Sequence, residues 1–246
     1  MFIESNQNPK YKNWLKLKQK KHRQKSGLFL VEGEHLVEEA LQYGIVREIL
    51  IREGWEGDMP LQSDSRTIFI KPGLFDKLAS TECPQPVMTV CEMKLSKIRF
   101  RNRLLLLDGI QDPGNLGTLV RSAAAFGFDG IILGEGCVDI YNQKVIRATQ
   151  GALFKIAIEE KKLLDAVAML LSEDVRVYGT SLEDASPLQE IPVGEKMAFI
   201  LGNEGVGVNH ALLASATDNI FIEIRENIES LNVSIAGSVI MYQFRQ

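Results

Sequence analysis

The chain has 246 residues, of which 45% are hydrophobic and 24% are charged, and its formal net charge at pH 7 is −4. These values are typical of a globular protein with one large domain or two smaller ones. No apolar run reaches the ~20 residues that a membrane span requires, and the N-terminus lacks an apolar signal-peptide core, so we expect a cytoplasmic protein. The three cysteines and three histidines are scattered, which disfavours a disulfide framework and predicts no metal site.

The first part of the chain predicts a small α/β unit. A helix is expected from Pro9, because proline is favoured in the first helical turn. We place an N-terminal domain at residues 1–93, a linker at 94–102 and a second domain at 103–246, since the linker has neither helical nor strand periodicity. The predicted strands of the first domain are LFLV, REILI, TIFI and PVMTVCEM, and its later helices are EHLVEEALQYG and GLFDKLAS.

Positive charge is concentrated in two segments of this acidic chain. Residues 10–25 contain eight lysines and arginines and no acid, and residues 94–103 form a second basic cluster without an acid. One interpretation is a solvated helix face followed by a charged linker. The other is two strips that contact phosphates, with Tyr11 and Trp14 available for stacking. The segregation of charge favours the second interpretation.

The second part of the chain predicts a parallel sheet covered by helices. Apolar runs suited to buried strands alternate there with helical stretches. Ligands of such sheets bind beyond the carboxyl ends of the strands, so residues that follow these strands are candidate site residues. Neither a Walker loop nor a GxGxxG turn is present, which disfavours triphosphate and dinucleotide chemistry. The predicted strands are RLLLLDG, GIILG, RVYGTS, KMAFILG and NIFIEI, and the predicted helices span 113–126, about 139–151, 161–173, 208–216 and 231–244.

Arg121 is the first candidate site residue. It lies in NLGTLVR, one helical turn after Gly117, so its guanidinium leaves the helix from a face of small residues. One interpretation is a surface arginine whose stem covers small side chains while its head reaches water. The other is a fixed cation for an anionic ligand.

Two further segments carry polar residues at predicted ligand-binding positions. Asn203 and Glu204 follow the strand AFIL, where neighbouring glycines permit close backbone approach. This segment is either a tight turn with a solvent-facing acid or part of a site. Ser230 and Asn232 open an uncharged last helix, where they either cap the helix or bind a ligand.

The three segments together resemble a known family. The patterns N-x-G-x-x-x-R, L-G-x-E-G and S-L-N-V-S, in this order, resemble the SpoU/TrmH family of RNA ribose 2′-O-methyltransferases in the SPOUT superfamily. The resemblance covers about residues 100–246. It implies an α/β protein whose C-terminal parallel-sheet domain contains a deep trefoil knot, an exception to the rule that connections do not thread loops. It also implies that the preceding small α/β domain is a ribosomal-protein-like RNA-binding domain.

The resemblance further implies a cofactor, S-adenosyl-L-methionine, bound in the knotted region. The matching cofactor-contacting positions are Gly202, Ile222 and Leu231, with Asn203 and Thr180 as further candidates. One departure is visible beside them, because Glu223 stands where relatives often have proline.

The family's polar active-site positions match Asn115, Arg121, Glu204, Ser230 and Asn232. A ribose 2′-hydroxyl is a poor nucleophile, so its attack on a methyl group needs proton removal or stabilisation of the alkoxide. Since guanidinium groups stay protonated in proteins, we favour Arg121 as an electrostatic stabiliser and anchor, with proton removal as the alternative. Ser230 and Asn232 would position the substrate, and Glu204 would orient Arg121 or the nearby backbone. In the family the arginine acts across a homodimer interface.

We therefore predict a cytoplasmic, metal-independent enzyme that uses S-adenosylmethionine to methylate a ribose 2′-hydroxyl in structured RNA. Ribosomal RNA is favoured over transfer RNA because of the added N-terminal domain. The main alternative is a non-catalytic RNA-binding or ribosome-assembly factor that retains the knotted fold. An α/β enzyme that acts on a small metabolite is the third possibility, but it leaves the two basic segments unexplained.

Overall fold

The computed structural model describes residues 1–57, 65–93, 97–99, 102–225 and 227–245. The predicted linker therefore falls in part outside the described residues, namely at 94–96 and 100–101. Its residues 97–99 have no regular secondary structure.

The chain forms two compact units, which we call the N-terminal unit and the C-terminal unit. The N-terminal unit comprises Met1–Lys94 together with Asp139–Phe154, and the C-terminal unit comprises Leu95–Val138 together with Lys155–Gln246. The first crossing between units lies at the predicted linker. The sequence placed Asp139–Phe154 in the second domain, whereas these residues pack with the N-terminal unit, where the ring of Tyr141 lies 4.6 Å from that of Phe29 and Gln143 Nε2 donates to Leu30 O.

The described residues among the first 93 form a mixed sheet with helices, which agrees with the predicted small α/β unit. The described strands are ordered β1-β4-β3-β5-β2, and β5 is antiparallel to both of its neighbours. The very short β1 was not predicted. The elements are β1 (Phe2–Ile3), α1 (Pro9–Lys16), α2 (Lys20–Ser26), β2 (Leu28–Glu32), α3 (Glu34–Gln42), β3 (Val46–Arg52), β4 (Thr67–Ile70), α4 (Pro72–Leu78) and β5 (Val87–Glu92).

Helix α1 begins where proline predicts it, and Asn8 Oδ1 caps it by accepting from Lys10 N at 2.9 Å. The aromatic residues of this helix are core residues. The Tyr11 hydroxyl donates to Leu74 O at 3.0 Å, and Trp14 Nε1 donates to Glu48 Oε2 at 2.8 Å; both side chains are at most 3% exposed. The interpretation of Tyr11 and Trp14 as base-stacking residues is therefore wrong, because burial of their rings stabilises the unit instead.

The second part of the chain confirms the predicted parallel sheet. The described strands pair in the order β10-β12-β9-β11-β6-β7-β8, and all of these pairs are parallel. The sequence did not predict β8 or β10. The elements are β6 (Arg103–Leu107), α5 (Pro113–Ala125), β7 (Gly130–Leu133), α6 (Gln143–Thr149), β8 (Ala157–Glu160), α7 (Leu163–Ser172), β9 (Arg176–Thr180), β10 (Ser186–Pro187), β11 (Met197–Leu201), α8 (His210–Ser215), β12 (Asp218–Phe221) and α9 (Val233–Gln243).

Helices cover both faces of this sheet, because alternate strand residues face opposite sides. Ile200 packs in one cluster with Ala166 and Leu170 of α7. On the opposite face, Leu201 and Leu119 of α5 lie so close to Gly237 of α9 that a Cβ there would stand 2.4–2.5 Å from them. Glycine at this position lets α5 and α9 pack together above the ends of the central strands.

The basic cluster at 94–103 contains a residue with a structural role. Arg103 is 6% exposed, and its guanidinium donates to Phe244 O at 2.9 Å, to Glu195 O at 2.7 Å and to Gly194 O at 2.8 Å. It ties the end of α9 to the sheet, so it is not available to contact RNA phosphates.

Candidate active site

The site lies at the carboxyl ends of β6 and β11, which are paired in register from Arg103–Met197 to Leu107–Leu201. The two loops that follow these strands are joined by hydrogen bonds. Asn203 Nδ2 donates to Gly109 O at 2.8 Å, and Asp108 N donates to Leu201 O at 2.8 Å. The motif residues that follow the two strands are thus brought to one edge of the sheet, as the parallel arrangement predicts.

The loop after β11 is a tight turn closed by its own backbone. Asn203 N donates to Gly207 O at 3.0 Å, and Gly207 N donates to Asn203 O at 2.9 Å. A Cβ on Gly202 would stand only 2.1 Å from Gly207 C and 2.2 Å from Val208 N. Glycine at 202 is therefore required by the close approach of two backbone segments, which was one of the sequence interpretations.

Three predicted active-site residues from three separate motifs form one hydrogen-bonded chain, which we call the amide relay. Asn115 Nδ2 donates to Glu204 Oε1 at 3.0 Å, and Asn232 Nδ2 donates to Asn115 Oδ1 at 3.0 Å. Asn232 Oδ1 in turn accepts from Ser234 N at 2.9 Å and caps α9. The relay connects the start of α5, the turn after β11 and the start of α9.

The two ends of the amide relay determine the orientation of both amides. An ionised glutamate only accepts hydrogen bonds, and the free N–H groups at a helix start only donate. Asn115 must therefore present its NH₂ group to Glu204, and Asn232 must present its carbonyl oxygen to α9. Neither amide can flip without placing two acceptors or two donors against each other.

Glu204 is the anionic end of this relay. Burial raises its pKa, but hydrogen bonds from Asn115 Nδ2 and from backbone N–H groups, including Asp112 N at 3.3 Å, lower it by more. The pKa of Glu204 therefore lies below its ordinary value, and the carboxylate is ionised at neutral pH. Its contacts are to Asn115 and the neighbouring backbone, and among the residues that the structure describes it forms no ion pair with Arg121. The expectation that Glu204 orients Arg121 is thus not met within one chain, whereas its alternative, orientation of the backbone, is what the contacts give.

Arg121 and Ser230 lie outside the amide relay. Arg121 is exposed on α5, and its side chain forms no hydrogen bond or ion pair with any residue in the described part of the chain. Ser230 is exposed two residues before Asn232, which is the residue that caps α9. Two of the five predicted polar residues therefore have side chains free for a ligand or a partner.

Sequence reasoning missed Asp112, whose Oδ1 accepts from Asn115 N at 2.8 Å and caps α5. This contact fixes the backbone of a relay residue. The signal was present, because an aspartate directly before a proline is a typical start of a helix.

The predicted cofactor-contacting residues lie on the loops at the same edge. Ile222 follows β12 and is half-buried, Leu231 precedes α9 and is 36% exposed, and both are apolar. Thr180 ends β9, and its hydroxyl donates to Ile200 O at 2.9 Å, so this oxygen already has a partner in the sheet. These loops carry exposed apolar side chains, including Val206 at 86% and Ile228 at 49%, which fit a ligand with a flat aromatic base.

The departure from the family pattern, Glu223, is exposed and accepts from Gln189 Nε2 at 3.1 Å. Its charge is therefore engaged by the short 3₁₀ turn at Leu188–Glu190. Among the described residues, no cluster of three or more histidines, cysteines and acids could hold a metal ion, and no helix is long and apolar enough to cross a membrane.

The fold and the site define a class of protein. A parallel α/β sheet carries, at its ligand-binding edge, an oriented amide relay, a glycine turn and an arginine that has no partner among the described residues, as expected of an α/β enzyme that binds an anionic substrate. The comparisons with known proteins make the class specific. The model of the SpoU rRNA Methylase family matches residues 102–242, and that of the MRM3-like substrate binding domain matches residues 8–89.

Individual relatives agree with these matches. The chain is 43% identical over 244 residues to the 23S rRNA (guanosine(2553)-2′-O)-methyltransferase RlmP of Bacillus subtilis, covering 99% of this chain and 98% of that protein. An AdoMet-bound rRNA methyltransferase from Sinorhizobium meliloti superposes with a TM-score of 0.88 at 26% identity, covering 99% and 96%. The AdoMet complex of the SpoU methyltransferase AviRb from Streptomyces viridochromogenes gives a TM-score of 0.86 at 25% identity, covering 96% of each chain.

The chain belongs to the SpoU rRNA methylase family. This confirms the family resemblance, the α/β fold class with its parallel sheet, and the expected kind of enzyme: an RNA methyltransferase that uses S-adenosylmethionine. The individual roles of the site residues remain predictions.

Proposed function

We propose that this protein transfers a methyl group from S-adenosylmethionine to the ribose 2′-hydroxyl of a guanosine in 23S rRNA. The observation that carries the proposal is the identity of 43% over 99% of the chain to the Bacillus subtilis enzyme named for this reaction. The intact amide relay supports it, because a factor that had lost catalysis would have no need to orient Asn115 and Asn232. The experiment below distinguishes this activity from the alternative, a non-catalytic assembly factor.

S-adenosylmethionine, when bound, supplies an electrophilic methyl group. Gly202, Ile222 and Leu231 would hold the cofactor with backbone groups and apolar contacts, with Asn203 and Thr180 shaping the turns beside it. The attacking 2′-oxygen would release its proton to solvent water as it accepts the methyl group, and the Arg121 guanidinium would stabilise the negative charge that develops on this oxygen and anchor the adjacent phosphate. Since a guanidinium stays protonated, proton removal by Arg121 is the less favoured role.

The amide relay would hold the walls of the site in place rather than touch the reacting atoms. Asn232 fixes the start of α9, and Glu204 fixes the turn after β11, so both cofactor-contacting loops are tied to α5. Ser230 lies two residues before Asn232 of the relay, and its exposed hydroxyl would bind the ribose or the cofactor. Fixed positioning of this kind lowers the barrier because the reacting groups are already aligned.

We further propose that the active form is a homodimer. Helix α9 exposes Ile235, Val239 and Tyr242 at 51%, 39% and 57%, and their i, i+4, i+7 spacing places them on one face. An exposed apolar helix face suits a self-complementary interface. The unpaired Arg121 supports the same proposal, because an arginine that completes the partner's site needs no contact in its own chain.

The remaining expectations follow from the family. A trefoil knot in the C-terminal unit would surround the cofactor with the loops after β11 and β12. The N-terminal unit would bind structured RNA, in agreement with its match to a substrate binding domain. A cytoplasmic location would place the enzyme with bacterial ribosomal RNA, and the mechanism needs no metal.

The test is the transfer of labelled methyl groups from S-adenosylmethionine to ribosomal RNA from cells that lack this protein. We expect label in 23S rRNA, recovered as an alkali-resistant dinucleotide, at the guanosine equivalent to the one in the relative's name. Free rRNA and incomplete ribosomal subunits are both used as substrates. Cofactor binding without label in either substrate would refute the proposed activity and support the assembly factor.

Arg121→Ala provides the test of mechanism. We expect kcat to fall at least about 100-fold, because one charge-stabilising group is lost, with little change in cofactor binding. The fold should be unaffected, since Arg121 is exposed and has no partner among the described residues. Isothermal titration with S-adenosylmethionine measures cofactor binding separately. Loss of cofactor binding together with activity would contradict the assigned role.

A further inference from the structure

We propose that helix α6 is part of the RNA-docking surface of the N-terminal unit. Lys144 and Arg147 of α6, with Lys21 and Lys25 of α2, would form one basic surface that contacts the phosphodiester backbone of structured RNA. The inference rests on the proposed function, and it adds to the binding surface a segment that lies within the methyltransferase match at 102–242.

Four of the eight cationic side chains in the basic segment at 10–25 are buried or have partners among the described residues. Lys10 pairs with Glu48, Lys12 Nζ donates to Gln7 Oε1, and Lys18 Nζ donates to the backbone carbonyls at the end of α4 at 2.7 and 2.8 Å. Arg23 is 4% exposed. The other four lysines are exposed and form no hydrogen bond or ion pair with any described residue: Lys16, Lys20, Lys21 and Lys25.

Helix α2 presents two of these lysines to solvent together. Arg23 points into the unit, where Nη1 donates to Leu17 O at 2.7 Å. At 100° per residue, Lys21 and Lys25 lie on the face opposite Arg23, one helical turn apart. Because neither lysine side chain has a competing partner in the part of the chain that the structure describes, both are available to an anion.

Helix α6 also has one buried face and one outward face with cationic side chains. Val145, Ile146 and Thr149 are buried, which places Lys144 and Arg147 on its outward face. Lys144 is exposed, and Arg147 is half-buried with Nη1 donating to Ser80 Oγ. A guanidinium that gives one N–H to a hydroxyl still has donors free for a phosphate.

Several contacts within the N-terminal unit place α2 and α6 against the same strand, β2. Arg23 Nη2 forms an ion pair with Asp139, and the two side chains are only 5% and 12% exposed. Gln143 Nε2 donates to Leu30 O of β2 at 2.8 Å, and the rings of Phe29 and Tyr141 lie 4.6 Å apart. Both helices thus lie against β2, the last described strand on that side of the sheet, and their exposed lysines belong to neighbouring elements.

A second link joins α6 to the basic N-terminal segment through the loop after α4. Lys18 Nζ binds Ala79 O, and Arg147 binds the next residue, Ser80. Ser80 Oγ also donates to Glu32, which is 6% exposed. Two acids of this region are thereby engaged, Glu32 by the loop after α4 and Asp139 by Arg23.

RNA is the partner that fits this surface. An RNA helix carries a row of regularly spaced phosphates. Several lysines on two neighbouring protein helices can contact such a row, whereas a single small anion would contact only one or two of them. Glu39 of α3 marks one border of this surface, because its side chain lies against Gly151, beyond the C-terminal end of α6.

The experiment measures binding of the full-length protein to a transcript of the 23S rRNA segment that contains the target guanosine, by fluorescence anisotropy at several salt concentrations. For Lys144→Gln we expect weaker binding and a slope of log Kd against log salt that is smaller by about 0.7–0.9, the value for one lost phosphate contact. Lys144→Gln with Arg147→Gln should lower the slope by about twice as much. Lys71→Gln is the matched control, since Lys71 is exposed and follows β4, about 15 Å from β2 across the sheet.

A slope and affinity equal to wild type for Lys144→Gln, or an equal loss for Lys71→Gln, would overturn the inference. Lys144 has no described partner, so its replacement tests the surface without a change in folding, and thermal unfolding of each variant verifies this. The outcome is distinguishable from failure of the proposed function. A wild-type protein that binds the transcript but methylates no RNA refutes the reaction and leaves the binding test valid.

Discussion

The side chain of Asn232 has two functions, one for each polar atom of its amide group. Its oxygen caps α9 by accepting from Ser234 N, and its nitrogen donates to Asn115. Aspartate and serine cap helices as well as asparagine does, so the cap alone does not require an amide. The requirement for asparagine comes from the relay, because only an amide can accept on one side and donate on the other.

We therefore predict that Asn232→Asp leaves stability nearly unchanged but lowers kcat about 100-fold through misplaced loops. The carboxylate keeps the cap, yet it faces Asn115 Oδ1 with a second acceptor, and a flipped Asn115 would face Glu204 with one. Urea unfolding and single-turnover methyl transfer measure the two effects. Asn8→Asp, at the cap of α1, is the control for the substitution itself. A variant as active as wild type would show that the relay does not position the site.

The sequence predicted which residues meet but not how they are connected. Spacing after buried strands placed Asn115, Glu204 and Asn232 at one sheet edge, since parallel strands end on the same side. The direction of each hydrogen bond depends on side-chain rotamers and on the cap at Asp112, which periodicity does not encode. Arg121 was predicted as a site residue from its small neighbours, and its lack of a partner among the described residues became visible only in the structure.

At the scale of elements, the turn after β11 depends on one glycine. Gly202 lies where a Cβ would stand 2.1 Å from Gly207 C, whereas a Cβ on Gly205 would meet only Asn203 Oδ1, at 3.5 Å. The two glycines are three residues apart in the same turn. Substitutions at the two positions therefore distinguish two reasons for glycine: close backbone contact at 202 and backbone flexibility at 205.

We predict that Gly202→Ala destabilises the protein by more than about 3 kcal/mol, because backbone must move to admit the methyl group. Gly205→Ala should change the free energy of unfolding by less than about 1 kcal/mol. Chemical denaturation of both variants gives the comparison. Similar small losses for the two variants would show that the turn adapts to a side chain at 202.

Element prediction succeeded where burial is regular and failed where elements are short. The run Leu104–Leu107 is fully buried and was read as a strand from its uninterrupted leucines. Strands β1 and β10 have two residues each, too few to show a period. Strand β8 ends in two acids, so its sequence resembles a loop although it pairs with β7. Neighbours in space, not local pattern, determine these three strands.

At the scale of the whole molecule, the proposed dimer makes a prediction about shared sites. If Arg121 completes the partner's site, equal mixing of Arg121→Ala with Asn232→Asp should restore activity to about one quarter of wild type, since about half of the dimers are mixed and each has one intact site. The two variants are mixed after mild dissociation and assayed for methyl transfer, with sedimentation velocity as the measure of dimer formation. Dimers that remain inactive after mixing would show that Arg121 serves its own chain.

The path of the chain between the two units was the least predictable feature. The basic linker marks the first crossing, but nothing in the composition of Asp139–Phe154 distinguishes it from its neighbours. Its assignment to the N-terminal unit depends on long-range contacts such as Arg23 with Asp139 and Phe29 with Tyr141. Helical periodicity predicted α6 itself and could not predict which sheet it covers.

The packing of Asp139–Phe154 with the N-terminal unit has a consequence for the evolution of the protein. A recombination event at the linker would give a chimaera whose α6 came from one parent and whose β2 came from the other. The buried arginine of α2 would then face a residue that was not selected with it, and an unpaired buried charge costs about 3–5 kcal/mol. We therefore expect the N-terminal unit and α6 to have diverged together within this family, as one module encoded by two separated stretches of the gene.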